Sequence, residues 1–242
     1  MEEKYALITG GTKGIGKAVA ATLVNAGYHV LLTYASDDTA ANTIRKQLGE
    51  EKADVLKADV TSADAIQTIY SFLTNKQKCL DTVILNAGLT CRDSFENLSL
   101  ADWERVFFAN IHFPVFLLQK LVNGKKINQN GCVVFTGSLM GIHPHSVSLA
   151  YGVTKSGVHA LVKNLVKFME PYGIRVNGVA PGFVDTEWQK TKPAEIRHNI
   201  ENKVASHRFC EPEEVANVYK MLIENQYFNG EIVVVDGAYS YK

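Results

Sequence analysis

Seven short runs of apolar, β-favouring residues recur along the chain, and longer stretches with helical spacing separate them. The runs occupy 5–9, 29–34, 53–58, 81–86, 131–137, 174–179 and 231–235. Nearly every position within them is apolar, the pattern of strands covered on both faces. Between them, 14–26, 37–49, 62–75, 100–122, 150–169 and 212–224 carry apolar residues at helical intervals, and Asp37 or Asp38 is placed to cap the second helix. Right-handed crossovers through such helices give one doubly wound, Rossmann-type α/β domain, with helices on both faces of a seven-stranded parallel sheet. No repeat or linker divides 1–242. One stretch breaks the rhythm: 183–206 is polar, holds Pro193, and stands where a mobile cover over a site is expected. In sheets of this kind ligands bind beyond the carboxyl ends of the strands, at the switch point. The residues just after each strand are therefore the informative ones.

Composition excludes several classes of function. The 242 residues include 25 basic and 25 acidic side chains, so zero net charge offers no field for nucleic acid or an anionic membrane. No run reaches the roughly 18 apolar residues of a membrane span. Met1-Glu2-Glu3-Lys4 leads straight into an apolar strand, so no secretory leader and a cytoplasmic location are expected. Cys79, Cys91, Cys132 and Cys210 show no CxxC spacing, which speaks against a disulfide framework or a zinc site. His143 and His145 lie close together astride Pro144, with no third ligand indicated; no metal is expected.

The first strand ends in Thr9-Gly10-Gly11-Thr12-Lys13-Gly14-Ile15-Gly16 and opens directly into a helix, whose N-terminus attracts phosphate. Gly11 to Lys17 nearly fits a P-loop, but Ala18 stands where a magnesium-binding hydroxyl is needed, so a dinucleotide is the better reading. Tyr151 and Lys155 are four apart on one helix face, where an ammonium lowers the pKa of a phenol. Ser138 directly follows the fifth strand, where the sheet meets ligands. No nucleophile-elbow G-x-S-x-G surrounds it, which disfavours a Ser-Lys hydrolase. Pro114 lacks the N–H that would bond the carbonyl of Asn110 four residues earlier.

The glycines at 10, 14 and 16, Asp59-Val60, Asn86-Ala87-Gly88, Asn110, Ser138, Tyr151-x-x-x-Lys155, Arg175-Val-Asn177 and Pro181-Gly182 follow one another in an order that resembles the short-chain dehydrogenase/reductase family. The resemblance covers essentially the whole chain and is strongest to the 3-oxoacyl-acyl-carrier-protein reductases of fatty acid biosynthesis. It implies that Tyr151 is the general acid, that Ser138 hydrogen-bonds the substrate carbonyl, and that Lys155 holds the nicotinamide ribose and tunes Tyr151. Asn110 would hold a water linking Lys155 to solvent. The cofactor would lie on Gly10, Thr12, Lys13, Gly14, Ile15 and Gly16, with Asp59 and Val60 beside the adenine and Asn86, Ala87 and Gly88 after the fourth strand. Pro181, Gly182, Val184 and Thr186 would meet the nicotinamide and pyrophosphate. The slot where NAD-preferring members place an acid holds Tyr34, and Lys13 with Ser36 would embrace a 2′-phosphate, so NADPH is expected over NADH.

The same reading sets the substrate and the assembly. Residues 89–95, 139–147 and 183–200 would wall the pocket with Phe95, Leu139, Met140, Ile142, Phe183 and Trp188, an apolar lining with few charges that fits an acyl chain. Trp188 either covers the site or packs on its own loop. Positions that are basic in close relatives hold Asn130 and Tyr172, with Lys125, Lys126 and Lys167 only nearby, which puts an acyl carrier protein in doubt as partner. Two further departures are Leu85 before Asn86, where many relatives have a second asparagine, and a short segment before Gly230. Apolar positions over 153–169 cover well over half the helical wheel, more than one sheet face needs. A homotetramer is expected, then a dimer; a deeply packed helix in a monomer is the alternative. The expected function is NADPH-dependent reduction of a carbonyl, most like that of a 3-oxoacyl thioester. A dehydrogenase of a small secondary alcohol or sugar is the alternative within enzymes, and a non-catalytic dinucleotide-binding regulator the alternative outside them.

Overall fold

Strands β1 (Lys4–Ile8), β2 (Tyr28–Tyr34), β3 (Ala53–Lys57), β4 (Leu80–Leu85), β5 (Ile127–Thr136), β6 (Arg175–Pro181) and β7 (Ile232–Val235) form one sheet in the order β3-β2-β1-β4-β5-β6-β7, every neighbouring pair parallel. The computed structural model describes residues 3–144 and 146–241, so the expectations resting on Met1, Glu2 and His145 lie outside the described residues. Alternation along the strands divides the core in two. Tyr5 and Leu7 of β1 face one cluster, while Ala6 and Ile8 face the other. Helices α1 (Gly14–Asn25), α2 (Asp38–Leu48) and, near the C-terminus, α9 (Pro212–Glu224) cover the second. The first lies under α3 (Asp64–Asn75), α4 (Leu100–Phe107), α5 (Phe113–Asn123) and α6 (Leu149–Met169). Burial on both faces explains why the strands read as almost continuous apolar runs.

Three differences from the sequence reading have local causes. The expected single helix over 100–122 widens at Phe108–His112 into a π turn, in which the Phe113 N–H donates to the Phe108 carbonyl. Pro114 follows at the start of α5, and its missing N–H is the reason that regular helix cannot run through this point. The combined stretch Leu100–Asn123 has the length and hydropathy of a membrane span, yet half of it is buried, with Val106, Phe113, Leu117 and Leu121 packed in the core. The fifth strand begins earlier than the apolar run, at Ile127, with a register shift before Cys132 and Asn130 in the left-handed region. Within 183–206, a region without helices in the sequence reading, lie α7 (Glu187–Lys190) and α8 (Ala194–Lys203). α8 is mostly polar and buries none of its residues; its apolar stripe is only Ile196 and Ile200, which face the cleft, too little for hydrophobic periodicity to mark a helix.

Candidate active site

The switch point falls between β1 and β4, and there the loops after the strands are stitched together. The Thr9 hydroxyl accepts from the backbone N–H groups of Asn86 (2.9 Å) and Ala87 (3.0 Å). The Asn86 amide donates to the Thr9 and Gly10 carbonyls at 3.0 and 3.2 Å, and its oxygen accepts from the Thr136 hydroxyl at 3.3 Å. One side chain thereby ties the ends of β1, β4 and β5. A Cβ on Gly16 would stand 2.3 Å from the Gly10 carbonyl, so only glycine lets α1 start this close to the turn. Gly10 and Gly14 have φ of +62° and +52°. Lys13 precedes α1 without a side-chain cap, and no acid lies in the first turn. The opening N–H groups of α1 are thus arranged for a phosphate.

A cleft of about 920 Å³ runs over these strand ends, large enough for a dinucleotide with a substrate beside it. Of the expected cofactor residues, Gly10, Lys13, Gly14, Ile15, Tyr34, Ser36, Asp59, Val60, Asn86, Ala87, Gly88, Pro181, Gly182, Val184 and Thr186 line it, as do Ser138, Tyr151 and Lys155. Thr12 and Gly16 do not line it: Thr12 is buried, and Gly16 lies against Gly10 and Asn86 behind the turn. Asp37 caps α2 by accepting from the Ala40 N–H at 2.9 Å, as expected. It also forms an ion pair with Lys13, a contact the spacing did not reveal. The Lys13 ammonium and its hydrogen bond hold the Asp37 carboxyl below its ordinary value.

The expected catalytic side chains converge. Ser148 caps α6 and accepts from the Tyr151 N–H, which fixes Tyr151 in the first helical turn. Lys155 lies one turn on, buried, and its ammonium donates to the Thr136 carbonyl at 2.6 Å. Burial brings its pKa down to about 8. Burial pushes the Tyr151 phenol up, opposed by a hydrogen bond from Ser138. The Lys155 ammonium, to which the resemblance gives the task of tuning this phenol, stands over the ring face, 5.4 Å from its centroid, and donates to the Thr136 carbonyl. Asn110 is away from the cleft wall. Its oxygen accepts from the Leu89 N–H (2.8 Å), and its amide donates to the Leu89 carbonyl (2.9 Å) and the Thr154 hydroxyl (2.9 Å). It braces the loop after β4 against α6. Gly88 fits between the two groups, since a Cβ there would lie 3.1 Å from the Asn110 oxygen and 3.5 Å from the Lys155 nitrogen.

Two residues missed by the motif reading hold the end of β5 from opposite faces. His159 accepts from the Ser138 N–H through Nε2 at 3.3 Å. That bond requires the neutral ring, and burial together with Lys155 lowers its pKa to about 4. Its signal was present, for it continues the four-residue spacing of Tyr151 and Lys155. From α9, the buried Tyr219 hydroxyl shares a 2.6 Å hydrogen bond with the Thr136 hydroxyl. An aromatic in an apolar stripe reads as core, and only its hydroxyl partner marks it out.

The cleft lining is more charged than expected. Leu139, Met140, Phe183 and Trp188 line the cleft, whereas Phe95 and Ile142 are exposed outside it. Arg92, Arg105, Lys192 and Lys203 line it as well. Trp188 faces the cleft with Arg92 stacked on it, the guanidinium carbon 5.2 Å from the ring centroid. His143 is a lining residue, and among the described residues no cluster of three potential metal ligands exists.

A family model described as short chain dehydrogenase matches residues 4–197. The chain belongs to the short-chain dehydrogenase family. It is 32% identical to a 3-oxoacyl-acyl-carrier-protein reductase of Aquifex aeolicus, over 98% of this chain and 97% of that one. It is 30% identical to an acetoacetyl-CoA reductase of Synechocystis, over 99% and 97% respectively. Among solved structures, a short-chain dehydrogenase of Burkholderia cenocepacia in complex with NADP superposes with a TM-score of 0.89, at 25% identity over 98% of both chains. The chain is therefore an NAD(P)-dependent oxidoreductase, and the seven-stranded parallel Rossmann fold expected of this family is the one observed.

The buried Lys155 ammonium should be visible in stability. Its folded pKa, about 8, lies below the ordinary lysine value of 10.5, so the protonated form is penalised in the fold. The penalty is full below pH ~8 and vanishes above ~10.5, on the order of 3 kcal/mol in all. Wild type should therefore gain on Lys155→Met by on the order of 2 kcal/mol between pH 7 and 10, read from urea midpoints. A gap that stays constant over that range contradicts the burial account.

Proposed function

We propose that this short-chain dehydrogenase reduces a carbonyl to a secondary alcohol with NADPH, and that a 3-oxoacyl thioester is its substrate. The observation that carries the reading is the convergence of Ser138, Tyr151 and Lys155 on one cleft with the glycine turn. When bound, a reduced nicotinamide dinucleotide supplies the hydride. Ser138 donates to the substrate carbonyl and polarises it. The Tyr151 phenol, held protonated by burial, delivers the proton to the carbonyl oxygen as charge develops there. An acid with a raised pKa suits the reductive direction at neutral pH, whereas the reverse reaction needs the phenolate. Lys155 holds the nicotinamide ribose, and His159 fixes the turn that carries Ser138. Asn110 keeps Leu89 and Thr154 in place beside Lys155 and, in this reading, steadies a water that returns protons from solvent.

NADPH preference is supported by Tyr34 in the acid slot and by Lys13 and Ser36 at the same end of the cleft. Asp37 is engaged by Ala40 and Lys13, and a 2′-phosphate would compete with it for the ammonium. A thioester is supported by the reductases of Aquifex and Synechocystis, whose names specify thioester substrates. The surface expected to meet a carrier protein places Asn130 beside Gly173, with Tyr172 adjacent and half exposed, and neither side chain is a cation. A small thioester is accordingly a better candidate than one on a carrier protein. Leu149 and Val153 of α6, Phe116 of α5 and Phe168 stay exposed, which supports a homotetramer paired through these helices. The segment 183–206 acts as the cover, and the cytoplasm is the proposed compartment.

Tyr151→Phe should reduce turnover of acetoacetyl-CoA by about 100-fold or more while NADPH still quenches protein fluorescence on binding. Turnover at the wild-type rate in that variant removes Tyr151 from its role. Lys13→Ala should raise the KM for NADPH about tenfold and leave that for NADH unchanged, whereas Asp37→Asn should lower the KM for NADPH; tighter NADH binding in wild type reverses the assignment. Light scattering after size exclusion should give the mass of four chains, and a monomer at micromolar concentration excludes the paired-helix assembly.

A further inference from the structure

The reduction chemistry leaves four cations of the cleft without a task. Arg92 stands on the loop after β4, Arg105 on α4, Lys192 between α7 and α8, and Lys203 at the end of α8, all lining the cleft that holds Tyr151. Their carboxylate neighbours in the lining are few. Asp59 follows β3 at the expected adenine end, and Glu187 is paired with Lys190. Among the described residues no carboxylate pairs with any of the four. In a chain of zero net charge this is a local concentration and not a reflection of composition.

Two of the four are poised together. Arg92 is stacked on Trp188, which holds its planar fork. Burial and the charge of Arg92 both lower the pKa of Lys192. Like charges facing one cleft raise the energy of the empty site, and an anion entering between them relieves it. A guanidinium fork with an ammonium beside it matches the oxygens of a phosphate or carboxylate.

We infer that Arg92 and Lys192 form a subsite for an anionic group on the substrate, set apart from the reacting carbonyl, with Arg105 and Lys203 adding to its field. This rests on the carbonyl-reductase reading and extends it, because the substrate becomes an anionic ketone or thioester in place of an uncharged acyl chain. The loop after β4 contributes Arg92 and the 183–206 cover Lys192 and Lys203, so a bound anion also draws the cover onto the cleft.

The test compares kcat/KM within pairs that differ only in the anion. Acetoacetyl-4′-phosphopantetheine is set against acetoacetyl-pantetheine for phosphate, and laevulinate against its methyl ester for carboxylate. Wild type should favour the charged member of one pair about tenfold or more, and the pair concerned identifies the anion. In Arg92→Gln/Lys192→Gln the ratio should fall to near one, with the neutral member's kcat and the KM for NADPH unchanged. Added salt should erode the wild-type ratio. A ratio near one in both pairs overturns the inference, and so does a variant effect equal on both members or confined to the KM for NADPH. A thermal-shift comparison of coenzyme A with pantetheine, and of laevulinate with its ester, reads the subsite without turnover. A charge-dependent shift lost in the double variant upholds the subsite even if no ketone is reduced, a result that defeats the reductase reading alone.

Discussion

The hydrogen bond from the Lys155 ammonium to the Thr136 carbonyl joins the first turns of α6 to the carboxyl end of β5. Around it the site is assembled from groups that are each satisfied by a neighbour. The Thr136 hydroxyl is shared between Tyr219 and Asn86, and Asn86 in turn grips the turn that opens α1. Polar groups at such depth are costly unless paired, so the network has little freedom to rearrange. Holding an ammonium this deep, with its pKa brought down to about 8, costs stability.

This network also explains why glycines cluster where they do. A Cβ on Gly16 would meet the Gly10 carbonyl, one on Gly88 would press on Asn110, and one on Gly137 would stand 2.2 Å from His159. Each marks a place where two elements must approach more closely than side chains allow. The elements are brought that close by the parallel sheet, whose strand ends all open on one edge. The polar segment 183–206 lines one side of the cleft, and its Lys192 and Lys203 give it a charge unlike that of the apolar lining around Leu139 and Met140.

Much of this was legible in the order of residues. The central strands are buried on both faces and therefore apolar throughout, the half-exposed edge strands β3 and β7 keep enough apolar residues to be visible as well, and Asp37 carried its capping role in its position. Pro114 marked where the Asn110 carbonyl loses its helical partner, because a missing N–H acts locally, but not the π turn that forms there. Where the reading fell short, the reason was contact across the fold. Lys13 reads as a lysine free to meet a 2′-phosphate until α2 brings Asp37 to it. Tyr219 reads as core until Thr136 is seen above its hydroxyl. The pocket reads as apolar because Phe95, Phe183 and Trp188 dominate its segments, whereas the fold decides whether Arg92, Arg105 and Lys192 turn into the cleft or out to solvent.

The sequence alone determined the parallel sheet, the edge on which ligands bind, and the side chains available there, since periodicity, glycine placement and helix spacing are properties of neighbouring residues. Tertiary structure decided how those side chains are charged and paired. It directed Lys155 to Thr136, set His159 under Ser138, matched Asp37 to Lys13, and left Arg92 and Lys192 without a carboxylate partner among the described residues. Burial and electrostatic pairing depend on distances between residues far apart in the chain, and those distances exist only once the sheet and its helices have closed around the core.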